Sequence, residues 1–159
     1  MNLDALVRRD HQPWQPCPEA TDLDEWHRYD VPLVGTFDVG SASVLFAAMG
    51  DASGDVSIWA YAELTSAEAA EVSTRVFDDT EDLQRAVEEY FHGKEAVIGL
   101  ASGLQLKRWG RVEVTGSLLD ATSEFVELLL AEARRQGSAA VTSVRRAQIE
   151  AAASELVSL

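Results

Sequence analysis

Between Leu33 and Leu64 the apolar residues fall into three short runs, Leu33–Asp38, Ser43–Met49 and Val56–Leu64, each of strand length. Gly40 with Ser41 separates the first two, and the loop from Gly50 through Asp55, with Ser53 and Gly54, separates the second and third. Turns this short predict an antiparallel meander. In the middle run both parities are apolar, Leu45, Ala47 and Met49 alternating with Val44, Phe46 and Ala48. One face can pack on helices; the other needs cover too, from another helix or from a second copy of the chain.

Downstream the period lengthens. Thr65 with Glu68 forms a capping-box signature for a helix from Ser66 to about Arg75. Leu83, Ala86, Val87, Tyr90 and Phe91 recur at i, i+3, i+4, i+7 and i+8, which predicts an amphipathic helix ended by Gly93. Ala96–Ala101 reads as a buried strand. Leu104–Lys107 and Arg111–Thr115 read as a strand pair joined near Trp109 and Gly110, or as one bulged strand. Either way Leu104, Leu106, Val112 and Val114 face the core, and Gln105, Lys107, Arg111 and Glu113 face solvent. Ser117 and Asp120 open a helix running to about Gln136, with Phe125, Val126, Leu129, Leu130 and Ala133 on its apolar face and Gly137 at its end. Ser138 opens a last helix carrying Val141, Val144, Ala147, Ile149, Ala152 and Leu156.

Upstream, a short helix over Leu3–Arg9 is followed by a connector, Gln12–Pro18, in which three prolines remove backbone donors, and by a second helix over Asp22–Tyr29. Trp14, Trp26 and Tyr29 are expected to anchor this stretch, because three large aromatics on a detached tail would expose apolar surface. The expected organisation is an N-terminal helical and Pro-rich arm, residues 1–32, packed on one α+β domain, residues 33–159. The expected fold is α+β: an antiparallel sheet of five or six strands of mixed length, the first three a meander, covered by amphipathic helices. A length of 159 residues suits one hydrophobic core.

Charge narrows the range of functions. Asp and Glu number 27 against 13 Lys and Arg, for a net charge of -14, which disfavours nucleic acid and anionic membrane surfaces. Residues 31–100 carry 13 acids and 3 bases, so one acidic face able to steer a basic protein is expected. No long apolar run occurs and Asp4 and Asp10 interrupt the first ten residues, so neither a span nor a leader is expected and the expected compartment is the cytoplasm. Cys17 is the only cysteine, which rules out an internal disulfide.

Motifs for catalysis are sparse. His11, His27 and His92 form no HExxH pair, and no GxSxG elbow, Walker loop or GxGxxG turn occurs. Neither metal nor cofactor is expected. Asp51 and Asp55 flank a small loop without the twelve-residue calcium pattern. The stretch Thr36-Phe37-Asp38-Val39-Gly40-Ser41-Ala42-Ser43-Val44 resembles the first strand and turn of actin-like phosphotransferases and ribonuclease H-like nucleases. That resemblance implies a divalent metal held by Asp38 in a phosphate-processing enzyme, with further carboxylates converging on it.

The leading expectation is therefore a non-catalytic, acidic protein-protein interaction module, such as an adaptor, inhibitor, immunity protein or secretion chaperone. Asp78, Asp79, Glu81 and Asp82, with Glu88 and Glu89, would guide a basic partner, and Trp59, Tyr61 and Trp109 would supply short-range affinity. A homodimer through the Ser43–Leu64 surface or the terminal helices would cover a sheet face left open.

Overall fold

A computed structural model describes residues 1–49 and 55–135. Their architecture is α+β: one six-stranded, wholly antiparallel sheet with four helices. The strands β1 (Ala20–Tyr29), β2 (Val31–Val39), β3 (Ala42–Met49), β4 (Val56–Leu64), β5 (Glu95–Ser102) and β6 (Gln105–Glu113) lie side by side in chain order. The helices are α1 (Leu3–Leu6), α2 (Ser66–Val72), α3 (Thr80–Phe91) and α4 (Leu118–Arg135). The Gly50–Gly54 part of the second expected turn and the helix opened by Ser138 lie outside the described residues.

The expected helix over Asp22–Tyr29 is instead strand β1. It closes on β2 through Asp30, whose φ of 62° reverses the chain between the paired Tyr29 and Val31. Three register shifts interrupt this pairing, so Leu23 and Trp26 never show a clean period of two. One bulge brings the Asp24 carbonyl so near Gly35 that a Cβ there would stand 2.1 Å from its oxygen. Only glycine admits that approach. The expected pair near Trp109 and Gly110 is one strand, β6, with a register shift opposite Leu100 and Ala101. It follows β5 through Gly103 and Leu104, both with positive φ, the geometry of a tight two-residue hairpin turn.

The doubled apolar parity of β3 is met by two covers. On one face Leu45 and Ala47 join Ile58, Ala60, Ala62 and Ile98 beneath buried residues of α2, α3 and α4, including Val72, Phe91, Leu118 and Phe125. On the other, Val44 and Phe46 join Phe37, Trp59, Tyr61 and Leu106 beneath Leu3, Val7 and Cys17. Residues 3–17 thus supply, from within the chain, a cover for the sheet face on which a homodimer through Ser43–Leu64 was expected. Polar bonds fix this cover: Tyr61 donates its hydroxyl to the Pro13 carbonyl at 2.6 Å, and Trp109 donates Nε1–H to the Asp4 carbonyl at 2.9 Å. Trp14 packs on Trp59 with ring centroids 6.1 Å apart.

Candidate functional site

The acids expected to face a partner are divided in their duties. Asp79 is the N-cap of α3 and accepts from the Asp82 amide at 2.8 Å, satisfying one of the donors that a helix start leaves open. Asp82 accepts from the Asp78 amide at 3.2 Å. Glu88 reaches across to α4 and accepts from the Leu118 amide at 3.0 Å, so it caps a helix not its own. Glu81 lies 3.6 Å from Arg85 one turn on, both well exposed. Asp78, Glu81 and Glu89 keep exposed side chains.

The aromatic candidates do not join them. Trp59 and Tyr61 are 0 % exposed, with their polar atoms bonded inside the fold, Trp59 Nε1–H to Ser57 and Tyr61 to Pro13. Neither can offer surface to a partner in this conformation. Burial pushes the Tyr61 phenol well above its ordinary range. Trp109 is half-buried on the sheet face beneath residues 3–17. Tyr29, expected as an anchor, is 71 % exposed. The sequence could not show that the face bearing Trp59 and Tyr61 would be roofed by residues more than 40 positions away.

An arrangement that spacing gave no hint of sits between α2 and α3. The Arg75 guanidinium lies 5.4 Å from the Phe77 ring centroid and 5.7 Å from that of Tyr90, within cation–π range of both. It donates to the Tyr90 hydroxyl at 3.1 Å, and Tyr90 donates onward to Glu71 at 2.8 Å. Glu71, Asp82 and Glu89 stand 3.6, 3.7 and 3.9 Å from it. Phe77 in turn packs against Trp26 of β1 with centroids 5.0 Å apart. One cation is thus enclosed by two rings and three carboxylates. The loop it braces turns Phe77 inward and leaves Val76 81 % exposed beside the exposed Asp78 and Asp79.

Other chemistry is occupied by structure. Asp38 lies opposite Ser43 and accepts from its hydroxyl at 2.8 Å, closing the β2–β3 hairpin. Among the described residues no three of His, Cys, Asp and Glu come together as metal ligands. Cys17 is buried, and burial first, then Glu19, raises its thiol pKa away from the reactive thiolate. A cleft of about 460 Å³ is lined by Leu3, Leu64, Lys94, Glu95 and Arg111 among others. Its cations are already paired, Lys94 with Glu68 and Arg111 with Glu95 at 3.0 Å and Asp4 at 3.4 Å.

No protein-family model, curated protein or solved structure matches the chain. None of the described helices is long and apolar enough to cross a membrane.

Proposed function

We propose that the protein is a non-catalytic interaction module, adaptor-like in kind, that receives a basic protein surface on its α2–α3 face. The observation that carries this reading is Val76, an apolar side chain 81 % exposed and held outward by the Arg75 brace among exposed carboxylates. Acids around an apolar centre suit recognition in two stages. Asp78, Glu81 and Glu89 raise the encounter rate of a basic surface, and Val76 gives up water on contact. In this reading the amphipathic helices and the N-terminal arm are the scaffold that keeps the sheet from being a binding face itself, and the module works in the cytoplasm.

The test is affinity capture with the full chain against the variant Val76→Glu/Asp78→Lys/Glu81→Lys, which leaves the caps Asp79, Asp82 and Glu88 in place. Basic proteins should be retained by the parent, released as salt shortens the screening length below about 8 Å, and lost with the variant. Retention of the same proteins by a folded variant refutes the reading.

A further inference from the structure

We propose that the outer edge of β6, from Trp109 to Glu113, docks an acidic, extended segment of another protein, which adds to the sheet as a further strand. β6 is the last strand of the sheet, and β5 is its only strand neighbour among the described residues. The segment carrying Asp10 and His11 meets its outer side at one point: the Asp10 amide donates to the Leu106 carbonyl and the Leu106 amide to the His11 carbonyl, each at 2.8 Å. Beyond the bulge, pairing with β5 runs from Trp109 to Glu113 without a further shift, and among the described residues no backbone bond engages the outer side of that stretch, so it offers an uninterrupted row of backbone groups. Such a row is a template for strand addition, in which main-chain bonds supply affinity and flanking side chains supply selectivity.

The two ends of the sheet differ. At the β1 end three register shifts and the Asp24 carbonyl turned onto Gly35 break the row, which blunts that edge. At the β6 end the row survives, and in the strand three cations stand against one acid, Glu113, at its far end. Lys107, Arg108 and Arg111 lie within five residues of a chain whose net charge is -14, with Arg8 and Arg9 in the segment that meets Leu106. Lys107 is engaged by Asp10, and Arg111 is shared between Asp4 and Glu95. Arg108 is exposed and makes no ion pair among the described residues. Pairing two β6 edges about Trp109 or Arg111 would set Lys107 against Arg111 or Arg111 against its own copy, and like charges across a strand pair are destabilising. A second copy is therefore the wrong occupant, and an extended segment rich in Asp or Glu is the complementary one. This surface lies apart from the α2–α3 face, so the inference stands independently of the function proposed above.

Residue-resolved amide exchange on the full chain tests it, with a capped alternating Glu-Val peptide long enough to span β6 and a Lys-Val peptide of equal length as control. The expected result is slower exchange within Trp109–Glu113 on adding the Glu-Val peptide only, with affinity about tenfold weaker for Arg108→Glu and weakened in salt. Arg108→Gln should fall between; it removes the charge without reversing it and replaces Arg108→Glu if that variant fails to fold. Strong protection throughout this stretch in the free chain, no protection by the Glu-Val peptide, or equal protection by both peptides overturns the proposal.

Discussion

Replacing Gly110 by alanine should destabilise the fold through a single contact with α4. An alanine Cβ there would stand 2.7 Å from Phe125 Cε2 and 3.4 Å from Cζ, the first well inside van der Waals contact. The ring is 7 % exposed and packed in the core between sheet and helices, so it can yield only by disturbing its neighbours. Overpacking of this kind costs about 1–3 kcal/mol, offset by about 0.5–1 kcal/mol because alanine restricts the unfolded chain more than glycine. The net expectation is a loss of about 1 kcal/mol. Phe125→Leu deletes the ring carbons responsible, at a cost of about 1–2 kcal/mol in buried area and packing. In the double variant the clash has no partner while the gain from restricting the unfolded chain remains, so the combined loss should fall short of the sum by the whole overpacking cost, about 2 kcal/mol. Urea unfolding at constant m-value reads each term. Additivity within about 0.3 kcal/mol, or a stabilising Gly110→Ala, would refute the close packing of α4 on β6.

Tyr61→Phe should cost about 1–3 kcal/mol, because it leaves the buried Pro13 carbonyl without its donor, and should speed proteolysis within residues 1–16 ahead of the rest; unchanged cleavage there would show that the bond does not hold this segment down. Acid should weaken α2. Burial pushes the Glu68 carboxyl up, but the Lys94 ammonium and the Thr65 amide and hydroxyl together outweigh it and hold Glu68 below its ordinary range. A depressed carboxylate adds stability that is complete above about pH 5 and lost progressively as pH falls below about 4.3. The urea midpoint should follow that loss, with a flatter acid limb in Lys94→Met; identical limbs would remove the pair from the account.

Much of the helical and strand framework is written locally. The spacing of Leu83, Ala86, Val87, Tyr90 and Phe91 belongs to one helix face, and those five side chains are the ones α3 buries. Thr65 and Glu68 form both halves of the capping box. β1 was hidden because it is an edge strand with one exposed residue after another; its bulges erase alternation, and Leu23 and Trp26 then lie at helical spacing. Asp30 at the turn and Gly35 beneath the bulge were the available signals, each legible only once a partner strand was known. The acid run from Asp78 to Asp82 was visible as charge, but a carboxylate at a helix start serves the backbone before it serves a partner, and Glu88 serves a helix 30 positions away. The Arg75 brace joins β1, the α2–α3 loop and α3, and no one-dimensional period encodes such a meeting.

The seating of residues 3–17 on the sheet sets an order of events during synthesis. Strand pairs between sequence neighbours can form as soon as both have emerged, as in β2–β3 and β3–β4. Residues made ahead of β1, however, close on the last of the described strands: Asp4 waits for Trp109, 105 residues later. Until then the lid over Phe37, Phe46, Trp59 and Tyr61 is held by its β4 contacts alone, without its bonds to Leu106 and Trp109, and a nascent chain stalled before β6 more readily shows this aromatic surface to whatever is nearby. A segment made ahead of the whole sheet is thus the last to be fully seated, and chains ending before β6 should aggregate.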